Sequence, residues 1–406
     1  MLKQNTKEFI QKGLLVLGAV FISLMIAEIG LRIFLPKYQE AAESRLTRED
    51  FLKRVPNTRS LRKHPDTGKQ HLAVYNNLGL RQSWDVDRAS SARRLRIGFF
   101  GDSFVENTGL SIEYGFVNVL DYLLNSNKDK FEVINFGMNG YGTDDAYLSF
   151  LERPVARGLQ FVFYVYCDND LMNIYENKLI SVDREGHLIF PRKKKGSSFW
   201  NRVVSRFYIT YLFLDAKTKF VSWLNLQPKK HFHKERHSSA VKRFQNDHLS
   251  GKPSPEVDQT IKVYQTILQA WSKRAAAQNA RFSVVLLPFH TEGKDESLIP
   301  EGIDSLNLYK LFSGSHLFPP SRLRFQHEGH WNEYANMLAA YFLYRDLEVK
   351  LGITHRSDEW VKQRLFEYYS AFGKEWFPDL GFEKTVLSER KEKAIWHKYK
   401  ALEMKG

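Results

Sequence analysis

Residues 95–104 read Leu-Arg-Ile-Gly-Phe-Phe-Gly-Asp-Ser-Phe, and this stretch decides the fold. Its first part is a compact apolar run, which is typical of a central parallel strand covered on both faces. The run leads directly into Gly101-Asp102-Ser103, so a serine hydroxyl follows the strand's carboxyl end. Ligands of open parallel sheets bind at that edge. Ser103 is therefore the first candidate site residue.

Similar apolar runs recur along the chain and alternate with segments of helical periodicity. The further strand runs are residues 131–135, 161–166 and 281–288, and the helical segments are residues 114–125, 143–157 and 254–278. This alternation predicts an α/β fold, a three-layer doubly wound parallel sheet with right-handed crossovers. Residues 178–250 interrupt the alternation and are too long for a plain connection, so we predict an insertion near the rim of the site.

Three more polar or glycine-rich stretches follow strands or open the final long helix. They are residues 135–143 (Asn-Phe-Gly-Met-Asn-Gly-Tyr-Gly-Thr), 167–170 (Cys-Asp-Asn-Asp) and 328–332 (Glu-Gly-His-Trp-Asn). The glycines of the first stretch let the backbone approach a ligand closely. Because its spacing is neither G-x-G-x-x-G nor that of a P-loop with its lysine, no nucleotide cofactor is predicted.

Together with Gly101-Asp102-Ser103, these stretches resemble the four signature blocks of the SGNH, or GDSL, hydrolase family, over residues 75–350. The resemblance implies that Ser103 is the nucleophile and His330 its base. It also implies an oxyanion hole formed by the backbone N–H groups of Ser103 and Gly140 and the side-chain amide of Asn169. This agrees with the chemistry, since a serine hydroxyl needs a base and an oxyanion needs preorganised donors.

The third member of a triad is where the sequence departs from the family pattern. Family members carry Asp three or two residues before the histidine, and here these positions hold His327 and Glu328. Glu328 can orient an imidazole and stabilise imidazolium as Asp would, so we predict Glu328 in this role. A Ser103–His330 dyad is the alternative. Cys167 stands where the third block has its glycine.

The amino terminus predicts a membrane anchor. Residues 13–35 form an apolar run after three lysines and reach about 34 Å, enough for a bilayer core of about 30 Å. The basic leader should stay in the cytoplasm and send the rest across a bacterial inner membrane. A cleaved signal peptide is the alternative, but no small-x-small site follows the run.

Charge is concentrated in one segment. The chain has a net charge of +14, and residues 184–243 hold 15 basic against three acidic residues. Such a field suits an anionic membrane surface or an acidic glycan. Nucleic acid is excluded by the predicted location outside the cytoplasm. The single cysteine excludes a disulfide within the chain, and the basic neighbours of His231, His233 and His237 disfavour a metal site there.

We therefore predict four parts: cytoplasmic leader and transmembrane anchor (1–36), stalk and entry segment (37–94), SGNH hydrolase-like domain (95–350) with the basic insertion 178–250, and a helical extension (351–406). The predicted function is an esterase that removes acyl groups, acetyl above all, from cell-envelope carbohydrate or lipid. One alternative is an O-acyltransferase that modifies an exopolysaccharide together with a membrane acyltransferase partner. The other is a non-catalytic module that binds glycan or lipid.

Overall fold

The structure is a computed structural model of the chain. It describes residues 12, 14–16, 18–20, 22–30, 56–87, 94–126, 130–190, 247, 254–287, 294–314, 323–327, 329–372, 395 and 398–399. The chain divides into two compact units, Met1–Arg54 with Arg192–Ser239 and Val55–Pro191 with Ala240–Gly406. The elements described next belong to the second unit.

A five-stranded parallel sheet is the centre of this unit. Its strands are β3 (Leu95–Phe100), β4 (Phe131–Asn135), β5 (Phe161–Tyr166), β8 (Arg281–Leu286) and β9 (Asp304–Asn307). Their order is β4-β3-β5-β8-β9, and every neighbouring pair is parallel. The predicted parallel sheet is thus confirmed, and the edge strand β9 is an addition to it.

Helices cover both faces of this sheet. They are α1 (Ser103–Glu106), α2 (Phe116–Asn125), α3 (Thr143–Glu152), α4 (Asn169–Asn177), α5 (Pro255–Ala276), α6 (Leu308–Gly314), α7 (Glu333–Leu351) and α8 (Asp358–Ser370). Because side chains of a strand alternate between faces, Phe99 and Phe163 enter the core on one face, whereas Phe100 and Tyr164 enter the core on the other. The first core includes residues of α2, α7 and α8, and the second includes residues of α3, α4 and α5.

Helix α5 shows how the local sequence sets an element. Ser254 caps its amino end by accepting a hydrogen bond from Val257 N–H, and Pro255 occupies the first helical position. Three residues of its apolar stripe, Tyr264, Leu268 and Trp271, are buried, and the fourth, Ile261, is half-buried. These rings and side chains fix α5 against the sheet.

Two small antiparallel hairpins lie outside the central sheet. The first joins β1 (Arg59–Lys63) to β2 (Gln70–Val74), and the second joins β6 (Ser181–Val182) to β7 (Leu188–Ile189). Only a short apolar strand near residues 71–75 is predicted from the sequence of the first. The larger part of the predicted insertion, residues 191–246 and 248–250, lies outside the described residues, as do the three histidines of 231–237.

Helix α8 is buried more deeply than the sequence suggests. The basic, aromatic carboxyl-terminal region reads as a surface-packed helical extension, yet Tyr368 and Tyr369 are fully buried in the core beside α2. The reason is the spacing of Val361, Leu365 and Tyr368, which gives the helix one apolar face.

Of the predicted membrane anchor, residues 14–16, 18–20 and 22–30 are described, and they are helical. A search of the described residues finds no helix with the length and apolarity that a membrane crossing requires. Residues 13, 17, 21 and 31–35 of the predicted anchor lie outside the described residues.

Candidate active site

Ser103 lies at the carboxyl edge of the sheet. It is the first residue of α1, after the tight turn that follows β3. Asp102 caps α1, since its Oδ1 accepts a hydrogen bond of 2.9 Å from Phe104 N–H. The turn requires glycine at position 101, because a Cβ there would lie 2.8 Å from the carbonyl oxygen of Val165. The backbone of Ser103 is therefore held in one position by the turn around it.

His330 lies against this serine. Ser103 Oγ and His330 Nε2 are 2.6 Å apart, which is hydrogen-bonding distance, although the two residues are 227 positions apart in the chain. The Phe104 ring centre lies 5.0 Å from that of the imidazole. An imidazole in this position can accept the hydroxyl proton.

The segment that carries His330 is fixed by short-range hydrogen bonds. The carbonyl of His330 accepts from Phe325 N–H at 3.1 Å, and Asn332 N–H donates to the carbonyl of Leu323 at 3.0 Å. Asn332 then caps α7 by accepting from the N–H groups of Tyr334 and Ala335. We call residues 323–327 and 329–332 the base segment.

Of the two residues considered as the third triad member, only His327 can be described. Glu328 lies outside the described residues, so its role stays a prediction. The side chain of His327 is 70% exposed, and its Nδ1 lies 3.2 Å from Asp66 Oδ1.

Asn169 begins α4 at the end of β5, and its side chain points to Asp102. Its Nδ2 donates to Asp102 Oδ2 at 3.2 Å. An amide has two N–H hydrogens, so this contact occupies one and orients the other. Burial raises the pKa of Asp102, while hydrogen bonds from Phe104 and Asn169 and the charge of His330 oppose the shift. The role of Asp102 in holding Asn169 was missed from the sequence, although Gly-Asp-Ser contains it.

Residues 136–142, which we call the glycine loop, pack directly on the serine turn. Met138 N–H donates to the carbonyl of Gly101 at 3.0 Å. A Cβ on Gly137 would lie 2.4 Å from the backbone nitrogen of Glu106, so only glycine allows this approach. Gly140 is exposed and has a φ of +79°, a conformation that favours glycine. The loop thus places Gly140 near the end of β4 in a fixed turn.

Glu106, three residues after Ser103, binds the same loop through its side chain. Its buried carboxylate accepts from Asn139 N–H at 2.5 Å through Oε2 and from the Tyr75 hydroxyl at 2.8 Å through Oε1. Arg62 Nη2 lies 3.9 Å from Glu106 Oε1 and also donates to the Tyr75 hydroxyl at 2.9 Å. Glu106 was not predicted from the sequence, since nothing in its local pattern marks it.

Further buried carboxyl groups surround the glycine loop and the start of α4. Asp170 Oδ2 accepts from the Tyr164 hydroxyl at 2.7 Å and from Cys167 N–H at 3.0 Å, and burial raises its pKa well above the ordinary value. Burial raises the pKa of Asp144 to about 6, and burial with the charge of Asp144 raises that of Asp145 to about 7.

Cys167 is fully buried at the end of β5, and its Sγ lies 3.6 Å from Asp168 Oδ1. Burial and the neighbouring carboxylates raise the pKa of its thiol well above the ordinary value. A thiol held neutral in this way is inert as a nucleophile. The hydroxyl of Ser103 is therefore the nucleophile to consider here.

One group of metal-ligand side chains occurs among the described residues, in the exposed β6–β7 turn. It comprises Asp183, Glu185 and His187, whose ligand atoms lie within 4.8 Å of one another. Asp183 Oδ1 accepts the N–H groups of Glu185 and His187 at 2.9 and 2.8 Å. The hydrogen bonds of the turn thus account for this grouping.

Comparison with known proteins gives no match to a family model and none to a curated protein. Solved structures do match. A protein described as lipolytic and of the G-D-S-L family, from Desulfitobacterium hafniense, is 11% identical over 62% of this chain and 99% of its own, with a TM-score of 0.33. An acetylxylan esterase from Geobacillus stearothermophilus is 13% identical over 64% of this chain and 96% of its own, with a TM-score of 0.35.

A further acetyl xylan esterase is 14% identical over 62% of this chain and 100% of its own, with a TM-score of 0.34. These neighbours include the G-D-S-L family that the four sequence blocks resemble. These TM-scores are all below 0.5, so the evidence for the chemistry of this chain is the geometry of Ser103 and His330 and not the likeness.

Proposed function

We propose that the chain is a serine esterase of the SGNH type, which removes acyl groups, with acetyl as the expected group, from esters of cell-envelope carbohydrate or lipid. The observation that carries this proposal is the 2.6 Å distance between Ser103 Oγ and His330 Nε2 at the carboxyl edge of the parallel sheet. A nucleophile and a base within hydrogen-bonding distance are the first requirement of covalent acyl transfer.

In the proposed reaction, His330 Nε2 accepts the proton of Ser103 Oγ as this oxygen attacks the ester carbonyl carbon. The resulting oxyanion receives hydrogen bonds from the N–H groups of Ser103 and Gly140 and from Asn169 Nδ2. Collapse of the tetrahedral intermediate breaks the bond to the alcohol, which leaves with the proton from His330. Water then attacks the acyl-serine by the same route and releases the carboxylic acid.

The test combines a fluorophosphonate probe with p-nitrophenyl esters of increasing chain length, on the full chain in detergent. We expect covalent labelling at Ser103 and release of p-nitrophenol, both lost in Ser103→Ala and strongly reduced in His330→Ala. Preference for acetate over longer esters would support the acetyl group. Hydrolysis by Ser103→Ala at the wild-type rate would contradict the proposal.

Product analysis with a sugar acceptor separates hydrolysis from transfer. Release of free acid supports the esterase, whereas transfer of the acyl group to a sugar hydroxyl would replace it by the O-acyltransferase. Retained function in cells that carry Ser103→Ala, with loss after neutralisation of residues 193–195, would instead favour the non-catalytic binding module.

The proposed location is the outer side of a bacterial inner membrane, with residues 13–35 as anchor. Its support is the apolar run of the sequence and the exposure of apolar side chains such as Leu15 (73%) and Ile26 (66%) on the helix described there. Membrane fractionation tests this: the full chain should sediment with membranes and a chain lacking residues 1–36 should not. Recovery of the full chain in the soluble fraction would contradict it. The basic residues 184–243 are proposed to face anionic lipid or glycan.

A further inference from the structure

The turn between β1 and β2 reaches the base segment from a position more than 250 residues earlier in the chain. Asp66 Oδ2 accepts from Gln326 N–H at 3.0 Å, and Asp66 Oδ1 accepts from His327 N–H at 3.1 Å. The same Oδ1 lies 3.2 Å from His327 Nδ1. One carboxylate therefore binds two consecutive backbone N–H groups, which fixes the peptide between them in position and orientation.

His64, in the same turn, contacts the other side of the base segment. Its Nδ1 accepts from the N–H groups of Asp66 and Thr67, each at 3.2 Å, so the ring proton belongs to Nε2. Nε2 lies 3.3 Å from Oε1 of Glu333, the first residue of α7, and can donate to it. The ring also packs edge-on against Phe325, with centres 4.9 Å apart. The turn thus holds residues before and after His330.

The base segment transmits this constraint to His330 over a short distance. Phe325 N–H donates to the carbonyl of His330, and Arg324 forms an isolated antiparallel bridge with Trp331. The two arms of the segment are thereby tied together. A shift of Gln326 and His327 would therefore move the imidazole relative to Ser103 Oγ.

The state of Asp66 suits this role at neutral pH. Partial burial raises its pKa, but hydrogen bonds from Gln326 and His327 outweigh burial and leave the pKa below its ordinary value. Asp66 is consequently a carboxylate, with both oxygens able to accept the backbone N–H groups.

We propose that Asp66 is a positioning residue of the candidate active site, which holds the base segment so that His330 Nε2 meets Ser103 Oγ. This inference rests on the proposed function and adds to it a residue outside the four blocks that resemble the family. It gives the β1–β2 hairpin, which lies apart from the central sheet, a role in the reaction.

Asp66→Ala and Asp66→Asn test the proposal by kcat and KM on p-nitrophenyl acetate and by the rate of fluorophosphonate labelling. A displacement of about 1 Å can cost about 100-fold in rate. For Asp66→Ala we expect kcat and the labelling rate to fall by about 10- to 100-fold, with KM changed by less than about threefold. Asp66→Asn keeps one acceptor oxygen and should fall between Asp66→Ala and the wild type.

The β6–β7 turn supplies a matched control. Asp183 also accepts two backbone N–H groups and contacts a histidine Nδ1, but its partners Glu185 and His187 lie within its own turn. Asp183→Ala should therefore keep the wild-type kcat and labelling rate. Equal losses in Asp66→Ala and Asp183→Ala would show a general effect and overturn the proposal.

Hydrogen exchange gives a readout that does not depend on activity. The amides of Gln326 and His327 should be protected in the wild type and should exchange faster in Asp66→Ala. If Asp66→Ala does not fold, the same measurement on Asp66→Asn decides. If the amides lose protection in Asp66→Ala but the fluorophosphonate probe does not label the wild type, the proposed function alone is contradicted. Wild-type labelling together with unchanged kcat in both Asp66 variants would overturn the role of Asp66.

Discussion

Asn169 Nδ2 donates to Asp102 Oδ2, so the residue beside the candidate nucleophile fixes an amide from the end of another strand. The other carboxylate oxygen of Asp102 caps α1. One buried side chain therefore sets both the start of the serine helix and the direction of the amide. The accuracy of the proposed oxyanion hole depends on this shared partner.

Asp102→Asn should uncouple these two effects. The Asn side chain can still cap α1 through its Oδ1, but its amide would face the amide of Asn169, which would have to rotate. We expect the chain to fold and kcat on p-nitrophenyl acetate to fall by about 100-fold, as for loss of one oxyanion donor. Asp168→Asn, which removes a neighbouring charge without this contact, is the control. Similar kcat values for the two variants would argue against the arrangement.

Two glycines of the glycine loop should respond differently to alanine. In Gly137→Ala the new Cβ would meet the backbone of Glu106 at 2.4 Å, whereas nothing lies within 4 Å of a Cβ at Gly140. We expect Gly137→Ala to lose about 1–3 kcal/mol or more of unfolding free energy, together with most activity. Gly140→Ala should lose about 1 kcal/mol from its positive φ and keep more activity. Urea unfolding and kcat measure both, and equal losses would contradict this account.

Tyr75→Phe should lower stability through Glu106. Removing the hydroxyl takes away one of the donors to a buried carboxylate, which costs about 1.5–3 kcal/mol. The matched control is Tyr341→Phe, because the Tyr341 hydroxyl donates to the exposed Asp358 and should contribute at most about 1 kcal/mol. Urea denaturation compares the two free energies of unfolding. A Tyr75→Phe chain as stable as the control would show that Glu106 does not need this donor.

The pair Asp144 and Asp145 should make stability fall as the pH rises. The folded chain keeps the proton of Asp145 up to a pKa of about 7, whereas the ordinary value is 3.8. Between these values the folded state binds more protons than the unfolded state, so stability is highest at low pH within this window and decreases toward pH 7. Other groups whose pKa differs between the folded and unfolded states add their own contributions, of either sign, to the pH dependence of stability.

Asp145→Asn removes the largest part of that dependence and keeps an acceptor for Gly142 N–H. We expect it to raise the free energy of unfolding at pH 8 by on the order of 2 kcal/mol, with little gain at pH 4. Unfolding by urea at both pH values provides the comparison. A gain of the same size at both pH values would point to a cause other than ionisation.

The central strands were predictable because burial on both faces leaves an uninterrupted apolar run. Residues 161–166 (Phe-Val-Phe-Tyr-Val-Tyr) match β5 in both bounds. Strand β9, with the sequence Asp-Ser-Leu-Asn, was not predicted. A short edge strand pairs with one strand only and carries polar residues, so it leaves no apolar run in the sequence. Helix α3 ends at Glu152, before the predicted bound of 157, where Pro154 begins a 3-10 turn.

The sequence predicted only those residues of the candidate site that lie at the ends of recognisable strands and helices. Ser103 and His330 stand out because each follows or precedes an element whose end the sequence marks. Asp66 and Glu106 do not, because their partners are tertiary contacts that no local pattern encodes. Tertiary packing decides which residues of the β1–β2 turn meet the base segment, because the two are about 260 positions apart in the chain. Glu328 stays a prediction, since it lies outside the described residues.

The sealed position of Cys167 has a practical consequence for studying this protein. It is the only sulfhydryl of the chain, and none of its surface is exposed. A maleimide should therefore react with the native protein only when the carboxyl end of β5 transiently opens. The reaction rate reports breathing next to Asn169 directly, and no added label is required.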